Sequence, residues 1–249
     1  MSIILFLFFS HWFVSLFFHT FFLHRFASHK MYTTSPFFEK VFYLATWIAQ
    51  GSSYLVPRAY AVMHRMHHVY SDTQKDPHSP HFFKDVMGMM MHTREIYNDF
   101  LNNRITVDSE FTKDYLPIWS SLDKFADNPI VRISWGVVYS LVYIWVINAY
   151  DLSYFWMLLL PVHFLMGPVQ GAIVNWCGHK YGYANYDNGD KSKNSEPWGL
   201  FLLGELFQNN HHKFGKSANF AQKWFEIDFT YQIMRFLHLI RVIRITPVN

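Results

Sequence analysis

Ile3-Ile-Leu-Phe-Leu-Phe-Phe-Ser-His-Trp-Phe-Val-Ser-Leu-Phe-Phe-His-Thr-Phe-Phe-Leu23 runs without an Asp, Glu, Lys or Arg. At about 1.5 Å of rise per residue a helix of this length is roughly 30 Å long, the thickness of a hydrocarbon layer. A signal peptide would have a basic segment ahead of the apolar run and a small-residue cleavage site behind it, and neither stands before Arg25. The stretch therefore reads as a transmembrane helix. Two further uncharged stretches, residues 133–150 and 154–177, are joined by a short turn around Asp151 and read as a helical hairpin that crosses and returns. A fourth, Val41 to Val56 behind Glu39 and Lys40, is shorter and holds Gln50, Gly51, Ser52 and Ser53. It reads as re-entrant or interfacial, within a segment of about 37–56.

The basic residues set the topology. All 21 Lys and Arg fall in residues 25–132 or 180–244, and the positive-inside rule places those regions in the cytoplasm. The N-terminus and the Asp151 turn are then expected outside, with three full crossings and one embedded segment. The expected fold is an all-α integral membrane protein, one domain over 1–249. It has three to four transmembrane helices (about 3–23, 133–150 and 154–177, plus 37–56) and a helical cytoplasmic cap made of 24–132 and 178–249. Asp127-Asn128-Pro129 is expected to end the long cytoplasmic segment. Residues 185–195 read as a loop, and Leu239 to Ile245, with Arg241 and Arg244, as an amphipathic helix on the membrane face.

Composition agrees. The 249 residues are 51% hydrophobic, 20% aromatic and 16% charged, against about 25% charged in ordinary soluble domains, which argues against a disordered, fibrous or nucleic-acid-coating protein. A net charge of +3 implies no polyanion, hence no nucleic acid partner. One cysteine, Cys177, leaves no intramolecular disulfide and no Cys-rich zinc or iron–sulfur site. The unusual count is 15 His.

Their placement carries the function. His64-Arg-Met-His67-His68 has the i, i+3, i+4 spacing that puts three imidazoles on one helical face. His24 and His29 sit where the first helix reaches the cytoplasm, and His211 and His212 end Gln208-Asn-Asn-His211-His212. Asn175 and His179, four apart, share a face at the cytoplasmic end of the last hairpin helix. Each pair alone reads as interfacial or capping; all four groups at one membrane depth read as one site. Eight imidazoles exceed one ion's needs, since structural zinc takes four ligands and catalytic zinc three plus water. Imidazole suits iron, copper, zinc and nickel, so ligand type leaves the metal open. The chain has neither His-Glu-x-x-His nor Glu-x-x-His, which disfavours zincin-type and carboxylate-bridged sites. Two metals bound almost wholly by histidine remain. His11, His19 and His163, inside apolar helices, read as hydrogen-bonded or cavity-lining rings, and His78, His81, His92 and His238 as structural or surface residues.

The ordered runs His24-Arg-Phe-Ala-Ser-His29, His64-Arg-Met-His67-His68 with Tyr70-Ser71-Asp72 and Asp76-Pro77-His78, Asn175 with His179, and Gly204-Glu205-Leu-Phe-Gln208-Asn-Asn-His211-His212 resemble the membrane fatty acyl desaturases of the acyl-CoA delta-9 type. The likeness extends from about His19 to about Thr230, including Trp224 to Thr230. It implies a membrane helical fold with a cytoplasmic cap and a pair of iron ions ligated by His24, His29, His64, His67, His68, His179, His211 and His212. No catalytic residue beyond those ligands is implied. The implied reaction is oxygen-dependent insertion of a cis double bond into a long saturated acyl chain, carried as acyl-CoA or acyl-lipid, with O2 as co-substrate. Two departures stand out. The third box of the family is His-x-x-His-His, and its first position here is Gln208, so Gln208 and Asn175 become metal or water-bridged ligands and occupancy of the second iron is in question. The family also commonly has two crossings before its first box, and residues 1–23 fit one.

Selectivity for one methylene needs an apolar tunnel of fixed length, for which the Phe-rich first helix and Val41 to Gly51 are candidate walls. With no Cys-x-x-Cys, Gly-x-Gly-x-x-Gly or His-Pro-Gly-Gly, electrons must come from a separate donor such as a ferredoxin, a rubredoxin or a cytochrome b5-like carrier. The expected location is a bacterial inner membrane, multi-pass among membrane lipids, with the active site on the cytoplasmic face. The rival readings are a membrane di-iron hydroxylase or ketolase and, in another class, a catalytically silent metal- or lipid-binding membrane protein.

Overall fold

Nothing in residues 2–28 breaks a helix: there is no Gly and no Pro. In the computed structural model, which describes residues 2–247, α1 (Ser2–Phe18) runs on without interruption into a π-helical stretch, His19–Ser28. The first long element therefore spans Ile3–Ser28, 26 residues, and passes the expected end at Leu23 because His24, Arg25, Phe26, Ala27 and Ser28 are all buried. Met1, Val248 and Asn249 of the expected domain lie outside the described residues.

β1 (Tyr32–Thr34) follows. α2 (Pro36–Gln50) then starts on a Ser35 cap, whose side chain accepts from the Phe38 N–H, with Pro36 in the first turn. A 3-10 turn, Gly51–Ser53, reverses the chain into α3 (Pro57–Tyr70). The apolar stretch Val41 to Val56 is thus the end of one helix plus a turn, the tip of a hairpin. Arg132 Nη1 donates to the Ser52 carbonyl at 2.9 Å and Nη2 to the Tyr54 carbonyl at 2.7 Å, while a Cβ on Gly51 would meet the Tyr139 ring. The tip so reaches the first half of α7 and turns back. Three short helices, α4 (Val86–Leu101), α5 (Ser109–Thr112) and α6 (Ser120–Ala126), lead to α7 (Pro129–Ala149), capped by Asn128 with Pro129 at its first turn, as Asp127-Asn128-Pro129 predicts. Ile130, Ile133, Val137, Leu141 and Trp145 present an exposed apolar face along α7.

The third apolar stretch is not a straight crossing. After a 3-10 turn (Tyr154–Leu159), α8 (Leu160–Phe164) and α9 (Met166–Lys180) meet at a 68° bend. Pro168 lacks the N–H that would bond the Phe164 carbonyl, and that carbonyl instead accepts from Ser52 Oγ at 3.0 Å. The Gly167 N–H donates to Ser53 Oγ at 3.0 Å. The polar tip of the α2–α3 hairpin thus satisfies the break in the third element, as backbone away from water requires. By length and composition, two helices can cross a membrane, Ile3–Ser28 and Pro129–Ala149, and a third crossing exists if the bent pair counts as one span.

A polar chain ties these elements together. Ala49 O only accepts, so His11 Nε2 must carry its proton (3.0 Å). His11 Nδ1 then accepts from His163 Nδ1–H at 2.6 Å, and His163 Nε2 accepts from the Tyr143 hydroxyl at 2.7 Å. Both rings are thereby hydrogen-bonded, as read from the sequence.

The chain ends in α10 (Gln208–Lys213), α11 (Phe229–Leu239) and β2 (Ile243–Ile245), which pairs antiparallel with β1, Tyr32 opposite Ile245. This corrects the helix expected over Leu239 to Ile245. That helix stops at Leu239, Arg241 adopts φ 63°, and the alternating Ile243-Arg244-Ile245 pairs as a strand, for which β-branched residues are suited.

Candidate metal centre

The π stretch explains how the first two histidines meet. In an α-helix residues five apart point about 140° from one another at 3.6 residues per turn. The wider π winding, with its i→i+5 bonds, brings His24 and His29 together, their ring centroids 5.1 Å apart. Opposite them lie His64, His67 and His68 of α3, His211 and His212 of α10, and His179 in the last turn of α9.

The eight rings form two adjoining groups. In the first, a nitrogen from each of His24, His29, His64, His68 and His211 lies within 4.8 Å of the others. His24 and His211 bring their Nε2 atoms to 2.9 Å, His68 and His211 to 2.9 Å, His64 and His68 to 3.0 Å, and His29 and His64 to 2.8 Å. Two nitrogens each about 2.1 Å from one ion and at right angles are roughly 3.0 Å apart. The second group is His67, His179 and His212, with Nε2 of His67 and His212 3.3 Å apart. His68 joins the groups, its ring 4.6 Å from that of His212. The donor set and spacing fit a pair of metal ions.

Carboxylates fix four of these rings. Nδ1–H of His24 donates to Glu205 at 2.6 Å, of His67 to Asp76 at 2.9 Å, of His179 to Asp72 at 2.9 Å, and of His212 to Asp190 at 2.6 Å. Each such bond leaves Nε2 with its lone pair facing inward, the arrangement by which outer carboxylates orient metal-bound histidine. Burial works against the charge on Asp72 and Asp190, yet the hydrogen bonds and charge of His179 and His212, together with donors from Lys191, Ser79 and Ser192, outweigh it and hold both carboxyls well below their ordinary range. Burial above all pushes His29, His64, His67, His68 and His211 well below the usual imidazole value. Neutral imidazole is the form that binds metal.

Arg25 is fully buried, as is its partner Asp228, both 0% exposed. It donates from Nη1 to Glu205 at 3.0 Å and from Nη2 to Asp228 at 2.7 Å, also reaches Thr20, and lies 3.9 Å over the Phe220 ring. Phe220 in turn packs on His211. Gln208 is buried, its amide N–H donating to the Glu205 carbonyl at 2.7 Å, and a Cβ on Gly178 would come 2.5 Å from Gln208 Cγ. Asn175 is half-buried one turn before His179 on α9.

All eight sequence-read imidazoles thus gather. In the sequence Asp72, Asp76 and Glu205 stand only as parts of the histidine-bearing runs, and nothing local singles out Asp190 or Arg25. Asp190 lies in the 185–195 loop, whose Asn, Asp and Gly content signals a turn and no partner. His78, read as structural or surface, is buried against His67. Of the expected tunnel walls, Val41, Leu44 and Ile48 face outward, while Phe42, Tyr43, Thr46, Ala49 and Gln50 face inward.

The chain belongs to the fatty acid desaturase family, whose sequence description, Fatty acid desaturase, matches residues 1–235. It is similar to the sn-1 stearoyl-lipid 9-desaturase of Anabaena variabilis, at 29% identity over 181 residues, 71% of this chain and 60% of the relative. It is also similar to the protein of that name from Synechocystis sp., at 30% over 182 residues, 72% of this chain and 52% of the relative. A third relative is the hex-5-enoyl-(acyl-carrier protein) acetylenase of Moorena producens, at 28% over 178 residues, 70% of this chain and 56% of the relative. The matches span roughly half to three fifths of these relatives' lengths.

Proposed function

We propose that residues 1–249 act as one oxygen-dependent fatty acyl desaturase domain, setting a cis double bond at the delta-9 position of a long saturated acyl chain. The observation that carries this reading is the pair of adjoining imidazole groups with inward Nε2 lone pairs. The ligands are His24, His29, His64, His68 and His211 for one iron and His67, His179 and His212 for the other. Asn175 and Gln208 are further metal or water-bridged ligands. The names of the two cyanobacterial relatives favour an acyl chain on a glycerolipid over one on CoA.

Iron, when bound, would supply the oxidant for removing one hydrogen from each of two adjacent methylenes, and these two hydrogens together with two donor electrons and two protons would reduce O2 to two waters. The chain's own part is to hold the site. Asp72, Asp76, Asp190 and Glu205 keep the proton on Nδ1 of their rings. Burial keeps His29, His64, His67, His68 and His211 neutral and the site dry, which protects a reactive intermediate from side reactions. Arg25 balances the charge of Glu205 and Asp228. The electrons come from a separate protein donor. The domain is read as a multi-pass membrane protein with its site on the cytoplasmic face, a reading supported by the two long apolar helices and by the distribution of Lys and Arg.

Expression of the wild type and of His67→Ala in a host lacking its own desaturase, with fatty acids read by gas chromatography, tests the proposal. Cis monounsaturated product from the wild type alone is expected. Equal product from both, or hydroxylated product from the wild type, contradicts it. Recovery of the new double bond in glycerolipids before it appears in acyl-CoA supports the lipid-linked substrate.

A further inference from the structure

The two imidazole groups are unequal, five rings against three. Gln208, which stands in place of the histidine that would open Gln208-Asn-Asn-His211-His212, packs on Gly178, the chain neighbour of His179 in the smaller group. Next to the smaller group lies His78, an imidazole with no evident role. It is 3% exposed, its ring centroid is 4.3 Å from that of His67 with 35° between planes, and neither ring nitrogen has a hydrogen-bond partner. One of them lies within 4.8 Å of ligand atoms of both His67 and Asp76.

A purely packing role does not account for this ring. Leaving a buried polar atom unpaired is destabilising, and a phenyl or aliphatic group would fill the same space without that cost. Asp76, the nearest carboxylate, is already engaged: it accepts from His67 Nδ1–H and from the backbone N–H groups of Asp72 and His78 itself. Buried, unpaired and adjacent to an under-liganded metal group, the ring has the attributes of a ligand waiting for its ion. The backbone that carries it is fixed by the same turn, through the bond from His78 N–H to Asp76 Oδ1 at 3.0 Å and the bond from Thr93 Oγ1 to the Pro77 carbonyl at 3.1 Å.

We propose that His78 is the fourth imidazole of the second metal site, replacing the one that position 208 lacks. The inference rests on the di-iron reading above and requires the ring, now tilted against His67, to turn a nitrogen toward the Nε2 atoms of His67, His179 and His212. It also makes Gln208 dispensable as a ligand.

The test is the iron content, per chain, of protein purified in detergent from iron-replete cells. His78→Phe keeps an aromatic ring against His67 and removes the donor; His78→Asn guards against steric failure of the larger ring. Two irons are expected in the wild type and one in each variant. The double variant Gln208→His with His78→Phe is expected to return to two, a recovery that a merely structural role for His78 would not give. Wild-type iron content in the His78 variants overturns the proposal while leaving the di-iron reading intact. Fewer than two irons in the wild type overturns both.

Discussion

Asp190 shows how much one side chain can do from outside the ligand set. It fixes His212 through a 2.6 Å bond and is itself held by Ser192. Removal of such an orienting carboxylate commonly costs 10–100-fold in metal affinity, so Asp190→Ala is expected to lower iron affinity by about that factor in competition with a chelator, with the fold retained. The neutral imidazoles set the pH dependence. Burial depresses the pKa values of His64, His68 and His211 in the folded chain, whereas in the unfolded chain they return to about 6.5. Below that value the unfolded state binds more protons, so stability is complete above about pH 6.5 and is lost as the pH falls. The metal-free protein is expected to melt at progressively lower temperature between about pH 7.5 and 5.5, read by thermal unfolding in detergent. Flat melting temperatures over that range would contradict the neutral-ring account. Residue identity made the ligands legible in the sequence, since imidazole at fixed spacing is itself the chemistry. Their carboxylate partners were not legible: nothing local links Asp190 to His212, and Arg25 looked like a topology marker while it serves as a buried counter-ion.

Gly51 carries the corresponding burden among the elements. Its φ of +52° lies in the region that disfavours side chains, and a Cβ there would stand 1.7 Å from the Tyr139 hydroxyl oxygen. The turn it makes presents Ser52 and Ser53 to the broken third element. Gly51→Ala is expected to destabilise the protein by at least about 2 kcal/mol, from backbone strain and overpacking together. Tyr139→Phe in the same chain, which removes the nearest atom, is expected to recover part of the loss in thermal unfolding. A neutral Gly51→Ala would show that the hairpin tip does not seat as described. The apolar runs named the long helices, and Asn128-Pro129 marked the start of α7, because hydrophobicity and capping are local signals. The π winding of His19–Ser28 and the strand at Ile243–Ile245 were not local: one depends on a shift in hydrogen-bond register, the other on a partner strand at the far end of the chain.

For the molecule as a whole, the site is where distant parts of the chain are held together. The first helix with its C-cap contributes two rings, α3 three, the end of α9 one and the short α10 two, and Glu205, Arg25 and Asp228 link the first element to the last. Unfolding separates these ligands, so metal that binds only the folded chain stabilises all of it. The most direct test of the account is X-ray absorption at the iron edge on the purified protein, together with its iron content. The account predicts two irons per chain in a first shell of nitrogen dominated by imidazole, with no sulfur. Absence of bound iron, or a shell of carboxylate or thiolate, would contradict it.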